Sequence, residues 1–233
     1  MTTTAATSAT PMPKPHRDRG IEGGMAKWYA ATTAKSRADF QKLAVRIAKE
    51  LPHGGSVLEI APGPGYLSIE LARLGPYAIR GVDLSASMVK IAQQKAAQAG
   101  VQIDFEQGNA ANLPYPRNTF DFLVCRAAFK NFSQPVKALQ EMHRVLKPGG
   151  RGLIVDLRRD ASVESVNQAV DEMGLGLVNR IMTKLAFRFM LLKSAYAKVH
   201  FEQMLAQTGF LNAEIVESGI GLEVWMTKAP GEQ

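Results

Sequence analysis

Short apolar runs alternate with stretches of helical period along most of this chain. Phe40, Leu43, Ala44 and Ile47 share one face at helical spacing, which predicts a helix over 25–51, ended by Pro52, Gly54 and Gly55. Residues 57–61 predict a buried strand, 67–74 a helix, and 78–82 a second strand closed by Asp83. Ser85 opens a helix to Ala99, and Gly100 stops it as a left-handed cap. Residues 101–105 and 120–125 predict the third and fourth strands, and 135–146 a helix with Pro135 in its first turn, where a missing N–H does no harm. Pro148-Gly149-Gly150 predicts a turn into a fifth strand, 152–157. A helix over 197–208 stopped by Gly209, then strands near 213–217 and 222–227, complete the pattern. Alternating strands and helices predict an α/β fold: a Rossmann-like, seven-stranded, mostly parallel sheet with an antiparallel C-terminal hairpin and helices on both faces.

Residues 1–20, rich in Thr, Ala and Pro without hydrophobic period, are expected to be a disordered tail. Residues 21–233 then form a single domain with an N-terminal cap helix (25–51) and a helical insertion (161–199). In the insertion Val178, Ile181, Met182, Leu185, Phe189 and Leu192 recur at helical spacing. Arg180, Lys184, Arg188, Lys193 and Lys198 accompany them, and no acid occurs from Gly174 to Val199. Three readings of this basic amphipathic segment stay open: a lid over an apolar pocket, an interfacial helix on an anionic membrane, or a homodimer surface.

Charge and cysteine content change the picture little. The net charge of +7 is read as general solubility, since no basic arm or aromatic ladder suited to nucleic acid is present. One cysteine, Cys125, excludes an intrachain disulfide. The stretch 1–14 lacks the apolar core of a secretory signal, and no apolar run approaches the roughly 18 residues of a membrane span. A cytoplasmic location is expected. Four scattered histidines and one cysteine show no ligand spacing, so no metal is expected.

The chemistry concentrates in Glu59-Ile60-Ala61-Pro62-Gly63-Pro64-Gly65, a glycine-rich turn directly after the first strand. Gly63 and Gly65 allow a tight turn and close approach of the backbone to a ligand. Asp83 follows twenty residues after Gly63, at the end of the second strand, where a carboxylate can accept both hydroxyls of a ribose. A dinucleotide fingerprint would continue to a third glycine or alanine, but here the place is Ser68. Glu59 before the turn would repel a pyrophosphate, and this disfavours a nicotinamide dehydrogenase. An acid there suits a cationic ligand.

Further segments follow: Gly81-Val82-Asp83-Leu84-Ser85 with Met88, Gly108-Asn109-Ala110 with Leu113-Pro114-Tyr115, Phe120-Asp121, and Arg144 through Gly150. With the glycine turn they resemble the class I S-adenosylmethionine-dependent methyltransferases over 56–157, and within them the branch of quinone, sterol and other small-molecule methyltransferases. The resemblance implies S-adenosylmethionine as cofactor, with S-adenosylhomocysteine as product. It implies that Glu59, Ala61, Gly63 and Gly65 line the methionine end, that Asp83 holds the ribose, and that Leu84 and Met88 flank the adenine. Asn109 and Ala110 then face the adenine edge, and Arg126 lies near the cofactor and the substrate entrance. Two departures stand out: Ala61 replaces the family's first glycine, and Asn109 its usual acid. The carbonyl oxygen of Asn109 is expected to accept from the adenine amino group. The acceptor is expected to be small and apolar or aromatic, with O-, S-, N- or C-methylation open. A lipid or quinone enzyme at a membrane surface and a non-catalytic binding module are the alternatives. Arg126 through Phe132 lacks the Asn- or Asp-Pro-Pro-aromatic segment of amino-methylating nucleic-acid enzymes. Tyr29, Tyr196 and His200 are the candidates for a base or positioning role.

Overall fold

The computed structural model describes residues 12–13, 20–174, 176–210 and 212–231. The expected tail therefore lies almost entirely outside the described residues. In chain order the elements are α1 (Gly23–Thr33), a 3₁₀ turn (Ala34–Ser36), α2 (Arg37–Ala48), β1 (Ser56–Ile60), α3 (Tyr66–Ala72), β2 (Ala78–Asp83), α4 (Ala86–Ala99), β3 (Asp104–Gln107) and β4 (Phe120–Arg126). A second 3₁₀ turn (Phe129–Asn131), α5 (Pro135–Val145) and β5 (Leu146–Leu157) follow. Next come α6 (Val163–Asp171), α7 (Leu177–Ala186), a π-helical turn (Phe187–Leu191), α8 (Leu192–Ser194), α9 (Lys198–Leu205), β6 (Asn212–Ser218) and β7 (Gly221–Thr227).

The strands form one sheet in the order β3-β2-β1-β4-β5-β7-β6. The first five pair in parallel, and β7 pairs antiparallel to both β5 and β6. The central strands are mostly apolar because both faces are covered. Val57, Phe122 and Val124 point to one side, against Phe40, Leu43 and Ile47 of α2 and Leu67 and Leu71 of α3. Their neighbours Leu58, Ile60, Leu123 and Cys125 point to the other, against Leu139 and Met142 of α5 and Phe201 and Met204 of α9. After β1 the chain winds outward to β2 and β3, then returns to lay β4 on the opposite side of β1. This reversal opens a crevice at the carboxyl ends of β1 and β4, the place where such sheets bind ligands.

The local differences from the expected elements have physical causes. The helix expected over 25–51 is broken at 34–36. Just before the break, the hydroxyls of Thr32 and Thr33 donate to the carbonyls of Trp28 and Tyr29, at 3.0 and 2.7 Å, a back-bonding that bends helices. The third strand starts at Asp104 rather than Val101, because Val101 is still engaged in closing α4. Its N–H donates to Ala96 O at 3.1 Å, beside the left-handed Gly100 (φ 69°). The fifth strand starts earlier than expected, at Leu146, opposite Phe120 and ahead of an irregularity in the ladder between Phe120 and Phe122. Gly149 there is left-handed (φ 78°).

Candidate functional site

β1 runs straight into a turn built on three left-handed residues. Ala61 (φ 55°) ends the strand, its N–H donating to Val82 O at 2.8 Å, and Gly63 (φ 53°) follows. A Cβ in this region costs roughly 1–2 kcal/mol, so Ala61 bears a strain that a glycine would not. Gly65 (φ 77°) caps α3 from the far side of the turn. A Cβ on Gly65 would meet Phe105 Cζ at 2.8 Å and Ala92 Cβ at 3.1 Å. Gly65 stands outside the cavity lining, and its missing side chain lets α4 and β3 close on the turn.

Asp83, at the end of β2, ties the turn to the next helix. Gly63 N–H donates to Asp83 Oδ2 and Ser85 N–H to Oδ1, both at 2.9 Å. A carboxylate offers about four acceptor sites, so these two bonds orient the group without exhausting it. Burial raises its pKa from the usual carboxylate value, and the two N–H groups partly oppose that rise. Glu59, on β1, is buried (4% exposed), and both the N–H (3.0 Å) and the hydroxyl of Ser68 donate to its Oε2. Burial pushes Glu59 up to about 7 against the pull of the Ser68 bonds. Ser68, at the place of a dinucleotide fingerprint's third glycine, is thus the clamp on this acid.

One cavity gathers these groups at the ends of β1, β2 and β4. Glu59, Ala61, Gly63, Asp83, Leu84, Met88, Asn109, Ala110 and Arg126 all line it. Asn109 Oδ1, the expected adenine acceptor, takes a hydrogen bond from Ala111 N–H at 2.9 Å, which fixes the carboxamide. The Arg126 guanidinium lies over the Phe40 ring, 4.3 Å from its centroid.

Of the three residues proposed for a base or positioning role, Tyr29 lines the cavity and the other two do not. Tyr196 packs into the aromatic cluster of Phe129 and Phe201. His200 is fully buried, and its Nδ1 accepts from Ala197 N–H at 2.9 Å at the start of α9. Its imidazole closes a helix end and has no access to a ligand.

The sequence led to the expectation of a cap helix here, and the strap ahead of that helix is what it missed. Gly20 and Ile21 line the cavity, together with Tyr29 and Thr33 of α1. This N-terminal strap is pinned to α4: Ser85 Oγ donates to Ile21 O at 2.7 Å, Gly23 N–H to Ser87 Oγ at 3.0 Å, and Ser87 N–H to Glu22 Oε2 at 3.1 Å. No described residue of 161–199 lines the cavity. The remaining wall comes from the loop after β4, with Ala127, Ala128, Asn131 and Phe132. A buried ion pair sets that loop. Lys130 Nζ lies 3.0 Å from Asp156 Oδ1, and Lys130 N–H donates to Oδ2 at 3.0 Å, while Ala127 is held left-handed (φ 57°). The two partners lie 26 residues apart, and no local pattern in the sequence pairs them.

Comparison with known proteins gives the following. Residues 57–150 match the family described as "Methyltransferase domain". A demethylmenaquinone methyltransferase of Deinococcus radiodurans is 41% identical over 107 residues, 46% of this chain and 44% of the relative. The ubiquinone/menaquinone biosynthesis C-methyltransferase UbiE of Escherichia fergusonii is 34% identical over 132 residues, 55% of this chain and 52% of the relative. The chain spans about half the length of the curated relatives it matches. Among solved structures, a protein of Methanococcus maripaludis assigned to the S-adenosyl-L-methionine-dependent methyltransferases superposes with a TM-score of 0.76 at 23% identity, covering 92% of this chain and 96% of that one. The [4+2]-cyclase SpnF superposes with a TM-score of 0.62 at 20% identity, covering 82% and 81%. At such identities the likeness is one of fold.

Proposed function

We propose that this chain, which carries a methyltransferase domain of the class I S-adenosylmethionine-dependent type, moves a methyl group from that cofactor to a small apolar or aromatic acceptor. The acceptor class we favour is a quinone-type ring, because the relatives' names point to it. The observation that carries the cofactor assignment is the pair of buried carboxylates, Glu59 and Asp83, lining one cavity at the ends of neighbouring strands. A ligand bearing an ammonium, a sulfonium and a ribose diol fits two acids. A pyrophosphate does not.

When bound, S-adenosylmethionine supplies a methyl carbon activated by its sulfonium. The work of the chain is then alignment and exclusion of water. In this reading Asp83 accepts the ribose hydroxyls with the acceptor capacity that Gly63 and Ser85 leave to it. Glu59 faces the cationic methionine end, and Leu84, Met88 and Asn109 bound the adenine. α1 and the strap before it cap the domain, while Tyr29, Asn131 and Phe132 surround the acceptor.

Calorimetry with S-adenosylmethionine and S-adenosylhomocysteine on wild type and Asp83→Ala tests the site. Hydrogen bonds to a charged group are worth about 1.5–3 kcal/mol each. The variant should therefore lose about 2–4 kcal/mol, roughly 30- to 1,000-fold in affinity. Incubation with a demethylated quinol and methyl-labelled cofactor tests the reaction. Label in the ring supports the proposed acceptor. Cofactor binding with no label passed to quinols, phenols, thiols or amines overturns the transferase reading in favour of a binding module.

A further inference from the structure

We propose that the helical run over 177–194 is a docking surface for an anionic lipid bilayer. The inference stands apart from the identity of the acceptor and from the transfer step. In a helix packed on a globular core the apolar stripe turns inward and the polar side faces water. Here the orientation is reversed. Lys184 Nζ lies 2.8 Å and Arg180 Nε 3.6 Å from Asp171 Oδ1, so the basic edge of α7 is turned toward α6. Leu177, Val178, Ile181, Met182, Leu185 and Phe189 are each 50% or more exposed. α7 has no buried residue at all. Beyond α7, Phe187 and Leu192 pack on Val166 and Val170 of α6. A ten-residue helix is marginal in water by itself, and this one leaves its apolar side without a protein partner among the described residues.

The charges decide what covers that side. Arg188 and Lys193 flank the exposed Phe189, at 5.7 and 5.8 Å from its ring centroid, and with Lys184 and Arg159 they line a groove along α6. Five cations and no acid occur from Gly174 to Val199, in a chain of net charge +7. A bilayer surface takes apolar side chains at the acyl boundary and sets lipid phosphates beside the flanking cations. A second copy would bring two surfaces of one sign together across a two-fold axis. No helix among the described residues is long and apolar enough to cross a membrane, so the contact proposed lies in the interface plane.

The test is co-sedimentation of the full chain with vesicles of phosphatidylcholine alone and of phosphatidylcholine mixed with phosphatidylglycerol. The chain should pellet with the mixed vesicles and release as salt is raised. Met182→Gln/Phe189→Gln should weaken that binding by about tenfold or more through lost apolar contact. Arg188→Gln/Lys193→Gln should weaken it roughly 30-fold, at about fivefold per cation, and only on the anionic vesicles. All four side chains are exposed, so both variants should keep the wild-type melting midpoint by circular dichroism. A chain that stays in the supernatant with both vesicle types overturns the proposal. So does a dimer in analytical sedimentation that the Met182/Phe189 variant splits, which would assign the face to a second copy.

Discussion

The cavity and the α7 face spend their side chains in opposite ways. In the cavity and the loop that walls it, charged groups are buried and held by neighbours: Glu59 by Ser68, Asp83 by Gly63 and Ser85, Lys130 by Asp156. On α7, apolar groups are exposed and held by almost nothing. Burying a carboxylate and exposing a phenylalanine are both unfavourable taken alone. Each is intelligible when the missing partner is a ligand, cationic in one case and amphiphilic in the other. A protein's own packing therefore explains its core, while the violations of packing rules mark where other molecules belong.

Substitutions should separate the two regions by the size and kind of their effects. Asp83→Ala should have the largest, the loss of about 2–4 kcal/mol in cofactor binding by calorimetry. Unchanged affinity would remove the acid from the site. Glu59 comes next. Its folded pKa of about 7 lies above the 4.5 of an ordinary glutamate, so the folded chain keeps a proton that the unfolded chain has lost. Stability should fall as pH rises from about 4.5 to 7, by up to about 3 kcal/mol at 1.36 kcal/mol per unit. Over the same window cofactor affinity should rise and binding should release a proton, seen as a buffer-dependent enthalpy. Glu59→Gln should flatten both profiles, and a variant that keeps the wild-type slopes would assign the titration elsewhere. Ala61→Gly should stabilise by about 0.5–1 kcal/mol, the relief of a left-handed Cβ less the added freedom of the unfolded chain. A lowered melting midpoint would contradict that account. Phe189→Ser, in the exposed region, should change stability by less than about 0.5 kcal/mol. A larger loss in chemical denaturation would mean that the α7 face is covered within the protein itself.

Features written in local sequence were legible, and features made by distant pairs were not. The strand–glycine turn–helix unit, Asp83 twenty residues on and Arg126 at the end of β4 are contiguous patterns, and nine of the ten residues expected at the cofactor do line the cavity. The tenth, Gly65, belongs to the same turn, but its role is decided by Phe105, forty residues away. The strap of Gly20 and Ile21 had no periodicity to announce it, because it is held through Ser85 and Ser87 rather than by an apolar face. Tyr196 and His200 had the right side chains for chemistry, yet aromatic packing and a helix end absorbed them. The break in the 25–51 helix did have a signal, the adjacent Thr32 and Thr33, which the apolar spacing of α2 overshadowed.

The path of the chain at its two ends has a practical side. Gly20 and Ile21 pass along the cavity wall. By contrast Thr227 pairs with Arg151, itself opposite Phe122 near the start of β4, and Lys228 bonds back to Gly150, at the end of the parallel strands away from the cavity. A dye, affinity handle or surface tether joined at residue 20 or 21 would crowd the ligand entrance and colour every binding measurement. The same attachment beyond residue 228 would leave ligand traffic alone, so the C-terminal side is the place to hold this molecule.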